Sequence, residues 1–167
     1  MLKNADGNNT TPSVVYFESP ENIVVGEVAK QSLITEPDNT VAFIKRDMGK
    51  IDEVTNKVIM RNIHGIELSP QEISAKILTK LVQDANNELR ALGKLSDGDP
   101  DVIDVVITCP AYFGMAEREA TKSAGKIAGL NVLNIIPEPT AAALNYAFAN
   151  KGIDQTVAVY DLSLIHI

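Results

Sequence analysis

The stretch Val102-Ile103-Asp104-Val105-Val106-Ile107-Thr108-Cys109-Pro110-Ala111-Tyr112-Phe113 decides the fold, together with the helix and strand patterns C-terminal to it. Val102 to Thr108 is apolar except for Asp104 and Thr108 itself, as a strand buried on both faces should be. Pro110 stops it. Residues 115–128 then read as a helix rich in small side chains, with Ala116, Ala120, Ala124 and Ile127 expected on one face against a sheet. Glu117 and Glu119 lie near its start and Lys122 and Lys126 near its end, which suits the helix dipole. Gly129 ends it. Val132 to Ile136 is the next strand, Pro139 opens a helix through about Ala149, and Thr156 to Leu162 is a final strand. This β-α-β-α-β order predicts parallel pairing with right-handed crossovers. Ligands in such sheets gather beyond the carboxyl ends of the strands. Here those ends are Cys109-Pro110, Pro137-Glu138 and Asp161.

Upstream, the elements are shorter. Val14–Phe17 and Ile23–Val25 read as strands around the turn Ser19-Pro20-Glu21-Asn22, and the apolar run Val41–Ile44 delivers Lys45-Arg46. The runs Val58–Ile63 and Ile66–Leu68 flank His64-Gly65, a tight-turn pair that makes His64 a solvated turn residue. Ser69 and Glu72 form a capping-box pattern with Pro70 at the first helical position. Apolar residues at helical spacing from Ile73 to Leu92 predict a helix about 34 Å long, capped by Gly93.

Composition sets the class. The chain has 167 residues, of which 45% are hydrophobic and 22% charged, as in an ordinary globular domain. A net charge of −7 disfavours nucleic acid and anionic membranes as partners. One cysteine permits no internal disulfide, which fits a cytoplasmic chain. Two histidines and one cysteine give no metal-ligand spacing.

The residues at the strand ends admit more than one chemistry. Glu138 is held between two prolines at a helix start. It reads either as a helix cap or as a carboxylate that orients a water or meets a cation. Asp161 reads either as an exposed strand-end acid or as a magnesium ligand acting through water. Lys45 reads either as a solvated lysine or as a fixed charge aimed at a phosphate. Cys109 lacks the Gly-x-nucleophile-x-Gly turn and a histidine base, so a buried core cysteine is the better reading than an acyl-transfer nucleophile. No glycine-rich phosphate loop of the dinucleotide or P-loop type occurs, which argues against a dinucleotide-dependent oxidoreductase.

Taken in order, several segments resemble the DnaK-type (seventy-kilodalton) heat-shock chaperones. They are Asn4-Ala5-Asp6-Gly7, Thr10-Thr11-Pro12-Ser13, Val25-Gly26, Phe43-Ile44-Lys45-Arg46, Met48-Gly49, Ile107 to Phe113, Arg118, Ala120-Thr121, Ala124-Gly125 and Glu138-Pro139-Thr140-Ala141-Ala142-Ala143-Leu144. The resemblance covers residues 1 to about 162 and implies an α/β fold, a partial actin-like (ribonuclease H-like) ATPase lobe with an inserted small α/β subdomain. The small subdomain and connecting helix would span about 13–92 and the core βαβαβ unit 100–162. It implies ATP or ADP and Mg2+ as cofactors, with Lys45 assisting attack on the γ-phosphate, Glu138 organising the catalytic water and cation, and Asp161 holding the metal's hydration shell. Pro110 and Arg118 would relay the nucleotide state. The partners implied for a parent protein are unfolded client peptides, a J-domain cochaperone and a nucleotide exchange factor.

The chain departs from the pattern in several places. It starts after the family's Asp-Leu-Gly-Thr-Thr strand end, and Ser163-Leu164-Ile165-His166-Ile167 stands where the family has Gly-Gly-Gly-Thr. Pro137, Gly114-Met115 and Asn134 replace the usual residues at their positions. The expectation is a lobe fragment that does not turn over ATP alone. A non-catalytic interaction module built on the same lobe is the alternative.

Overall fold

The computed structural model describes residues 1–152 and 154–161; the rest of the chain, including the expected tail 163–167, lies outside the described residues. The architecture is mixed α/β. Strands β1 (Val14–Phe17), β2 (Ile23–Val25) and β3 (Thr40–Ala42) form an antiparallel sheet in the order β2-β1-β3, with Val15 opposite both Val25 and Val41. Helix α1 (Glu27–Thr35) packs on this sheet. Strands β4 (Arg61–Ile63) and β5 (Ile66–Leu68) form a hairpin whose turn residues His64 and Gly65 both have positive φ, at 53° and 78°. His64 is exposed, as a turn residue should be, and its Nε2 also lies 2.7 Å from the carbonyl oxygen of Phe17.

Helix α2 (Pro70–Ala91) begins as the sequence predicts. The Glu72 N–H donates to Ser69 Oγ at 3.3 Å, and the Ser69 N–H donates back to Glu72 Oε2 at 2.8 Å. The Ser69 hydroxyl donates to the same oxygen at 2.6 Å. These bonds, the hydroxyl first, hold the Glu72 carboxyl below its ordinary range. A depressed folded value means that the cap stabilises the fold above the unfolded carboxylate range and loses that contribution as pH falls through it. Ser69→Ala should therefore cost about 1 kcal/mol at neutral pH and flatten the acid limb of a urea-denaturation series. An unchanged acid limb would mean that the box does not couple to folding.

The second half centres on β6 (Asp104–Cys109), α3 (Met115–Ile127), β7 (Asn131–Pro137) and α4 (Glu138–Ala149). Strands β6 and β7 pair in parallel, joined by α3 as the alternation requires. The register shifts between Val105 and Val106, where β7 carries one extra residue, Leu133. The buried face of α3 is Ala120, Thr121, Ala124 and Gly125, which turns Ala116 and Ile127 outward, contrary to the sequence expectation. Gly125 explains the rotation. A Cβ there would lie 2.4 Å from Val132 Cγ2, so only glycine lets the helix approach the sheet this closely.

Two cores hold these halves. One gathers Val15, Phe17, Ile44, Ile63, Ile73 and Ile77 between β1, the hairpin and α2. The other gathers Met48, Cys109, Phe113, Ala120 and Ala124 under α3. Helices α2 and α3 pack against each other and join them. No helix among the described residues is long and apolar enough to cross a membrane.

The apolar run Val41–Ile44 divides at Phe43: β3 ends at Ala42, Phe43 adopts left-handed backbone, and Ile44–Asp47 form a 3-10 turn. Two expectations are corrected. Of Val58–Ile63 only Arg61–Ile63 is a strand, while Val58 makes an isolated bridge to Ile51. Residues 156–161 of the expected strand 156–162 take no regular structure, and Leu162 lies outside the described residues. A strand forms only where a neighbour satisfies its backbone groups, and this segment has found none among the described strands.

Candidate functional site at the ends of β6 and β7

Parallel register sets the site. Cys109 of β6 stands opposite Pro137 of β7, so Pro110 and Glu138 are the next residues beyond the two strand ends. Glu138 opens α4, with Pro137 as the extended residue before it and Pro139 in the first turn. A carboxylate there faces unpaired backbone N–H groups and the positive end of the helix. The Lys45 ammonium donates to Glu138 Oε1, across 93 residues of sequence. Lys45 reaches that point because Ile44, 3% exposed, is buried in the first core and the 3-10 turn projects the next residue outward.

Lys45 and Glu138 line an open cleft of about 520 Å³, with Lys30, Phe43, Pro12 and Ser13 among its other walls. Two ammonium groups thus share one cavity with one carboxylate. The Lys45 side chain is 40% exposed, so its attraction to Glu138 is partly screened and the pair can exchange partners. Phe43 is exposed at this rim in left-handed backbone, and the Arg46 guanidinium sits 4.8 Å from its ring centroid.

Pro110 and Arg118 meet through Phe113, a residue to which the sequence pattern alone assigns no separate role. The Phe113 N–H donates to the Pro110 carbonyl at 3.1 Å, and Arg118 Nε donates to the Phe113 carbonyl at 2.9 Å. Phe113 is buried and Tyr112 stacks edge-on against it at 5.5 Å. The β6 end, the α3 start and the Arg118 guanidinium therefore form one hydrogen-bonded turn. Cys109, 0% exposed, lies beneath it. Burial pushes its thiol up, and this outweighs the favourable fields of Arg118 and Lys45. It is a core residue, not a nucleophile.

The structure thus brings Lys45, Glu138, Pro110 and Arg118 to one end of β6 and β7. Asp161 is exposed, in the irregular segment after α4, and is not in the described lining of the Lys45–Glu138 cleft. Gly49, marked in the sequence only as part of the Met48-Gly49 match, has a structural place here. It sits four residues after Lys45, against the first turn of α3, and ties the lysine's segment to the helix that carries Arg118.

Known proteins resemble this chain along nearly its whole length. The family model described as Hsp70 protein matches residues 1–164. The chain is 48% identical over 162 residues to the chaperone protein DnaK of Thermosipho melanesiensis, an alignment covering 97% of this chain and 24% of that protein. The chain spans about a quarter of the length of that curated relative. On a match that takes in nearly every described residue and every strand end just described, the chain belongs to the Hsp70 family.

Proposed function

We propose that this chain supplies the phosphate-facing lobe of a chaperone ATPase domain, an actin-like lobe in which the sheets of residues 13–92 form an inserted subdomain. The observation that carries this reading is the meeting of Lys45 and Glu138 at the end of β7, beside the α4 N-terminus. An ammonium and a carboxylate brought together at the carboxyl end of a parallel strand pair are what phosphoryl transfer to water needs from the protein.

The donor set suits ATP or ADP with Mg2+. Lys45 and Lys30 offer positive charge to phosphate oxygens, and Glu138 offers the oxygen ligand that hard cations prefer. Among the described residues no three acidic, histidine or cysteine side chains gather as a metal cage. Magnesium here would be held chiefly by water and phosphate oxygens, with Glu138 bonding to that water; Asp161, outside the cleft's described lining, would join it only in the longer parent protein. When bound, the metal supplies charge neutralisation on the phosphates. Lys45 then orients the terminal phosphate, and Glu138 holds the attacking water and receives its proton. Pro110, Phe113 and Arg118 carry the nucleotide-dependent state of the β6 end into α3. In a longer cytoplasmic parent protein, that signal would govern binding of unfolded client peptides. A J-domain cochaperone and a nucleotide exchange factor would act on the same cycle.

Binding and turnover should separate in this chain. Mg2+–ATP should raise its melting temperature, and Lys45→Ala should cancel the rise. An unchanged melting temperature would favour the non-catalytic interaction module. Sustained hydrolysis should not occur, because the cleft is open and the solvent-screened Lys45–Glu138 pair does not by itself hold a phosphate and a water in line. Magnesium-dependent phosphate release that disappears in Lys45→Ala would overturn that expectation.

A further inference from the structure

We propose that the buried carboxylate of Asp84, with the loop 4–11 that lines the same cavity, forms a binding site for one alkali cation. This cavity shares no residue with the Lys45–Glu138 cleft.

Asp84 stands in α2 beside Leu81 and Ala85 and is only 5% exposed. A carboxylate is almost never buried this deeply unless its charge is met. Lys80, one turn earlier, donates to Asp84 Oδ1 at 2.6 Å. Asp84 Oδ2 is buried and has no hydrogen-bond partner. Such an oxygen costs stability until a donor or a cation reaches it. The Lys80 side chain is 32% exposed, so its charge is shared with solvent and leaves that of the carboxylate partly uncancelled. A water satisfies the lone pair and not the charge, whereas a cation satisfies both.

A cavity of about 100 Å³ lies against Asp84. Lys80 is not among its walls, so Oδ2 is the oxygen that the carboxylate offers to it. The volume admits a bare ion and a water or two, each water taking about 30 Å³ in the liquid. Asn8, Asn9 and Thr11 supply its polar wall. Their loop is held by its own bonds. Asn4 Oδ1 accepts from the Asp6 and Asn8 N–H groups at 3.1 and 2.8 Å, and Asn4 Nδ2 donates to the Thr10 carbonyl and to Thr11 Oγ1, both at 3.1 Å. Asn4 is spent on these bonds, while the Asn8 and Asn9 carboxamides make no hydrogen bond to the described residues. Amide, hydroxyl and carboxylate oxygens in one small cavity are the donor set of a hard cation.

Charge selects a monovalent ion. A single carboxylate serves the cavity, Lys80 already draws on it, and the exposed Lys3 stands on the rim. Among the described residues no three acidic, histidine or cysteine side chains gather as a divalent cage.

Thermal melting of the full chain without nucleotide tests this, in potassium, sodium or choline chloride at one ionic strength. Potassium or sodium should raise the melting temperature above that in choline, an ion too large for the cavity. The rise should grow with the logarithm of the cation concentration, and its size in the two alkali salts shows which ion the site prefers. Asp84→Asn keeps the shape and removes the charge, so the cation's apparent affinity should fall at least about tenfold. Lys80→Met keeps the apolar stem and removes the competing ammonium, so the same affinity should increase. A carboxylate that serves only as the partner of Lys80 gives no such gain. Equal melting of the wild-type chain in all three chlorides would overturn the proposal and leave Oδ2 to water. So would an undiminished alkali response in Asp84→Asn, or a Lys80→Met chain that gains none.

Discussion

Gly49→Ala should destabilise the chain by about 2–5 kcal/mol. Two costs combine. The residue has φ of +72°, and an L side chain in left-handed backbone costs about 1–2 kcal/mol. A Cβ there would also meet the Glu117 backbone nitrogen at 2.8 Å and Ala116 C and Glu117 Cα at 2.9 Å. Those are main-chain atoms in the first turn of α3, so no side-chain rotation relieves the overlap. The helix or the Lys45 segment must move, and overpacking of this kind costs about 1–3 kcal/mol. Gly93→Ala is the control. Its φ is +66°, but nothing lies within 4 Å of its Cβ, so it should cost only the conformational part. Urea denaturation of the two variants separates the terms. Equal losses would show that the close approach of Gly49 to α3 contributes nothing. The consequence reaches the site, because Met48 beside Gly49 lies in the core under α3 and the first turn of α3 leads to Arg118. Lys45 and Arg118 are placed relative to each other through this contact.

What the sequence discloses divides along physical lines. The start of α2 is legible because a capping box is closed by residues three apart. Strands β6 and β7 and helix α3 are legible because their apolar runs and punctuating glycines are local signals. Helix α1 is not. Its sequence buries only Ala29, leaves Val28 and Ile34 to solvent, and starts at Gly26 with no side-chain cap. Its register comes from the sheet it covers. The turn that presents Lys45 is hidden for a related reason, since left-handed Phe43 runs against its own preference and tertiary packing imposes it. The segment 156–161 shows the converse case. Its composition records competence to form a strand, but a strand also needs a neighbour. The Lys45–Glu138 pair spans 93 residues, and no spacing rule connects them. Read from the residues alone each kept two readings, the family pattern joined them, and the fold supplies the reason they meet.

Ile73→Ala should cost about 2–5 kcal/mol, a large share of the roughly 5–15 kcal/mol that holds a domain of this kind together. Ile73 is 0% exposed and lies among the largest fully buried side chains. It stands one turn into α2, where the capping box has fixed the helix axis, and it packs with Val15 and Phe17 of β1, Ile44 of the 3-10 turn and Ile63 of the hairpin. Three separate elements thus pack on this one side chain of α2, and none of them can collapse into the space without leaving another partner. A cavity therefore persists in the variant, and its cost adds to the lost transfer energy. Ile73→Val removes one methylene and should cost only about 0.5–1.5 kcal/mol. Denaturant unfolding of the pair measures both, and a loss below about 1 kcal/mol for the alanine variant would show that the elements do repack. The effect on the site should exceed what stability alone explains. Ile44 is the residue that anchors Lys45, and its packing against this core is what turns the ammonium toward Glu138. Under conditions where Ile73→Ala remains folded, Lys45 should lose its fixed position, and the rise in melting temperature with Mg2+–ATP should shrink with it. Retention of the full nucleotide-dependent rise in a folded Ile73→Ala chain would mean that Lys45 is positioned by Glu138 and not by the core beneath it.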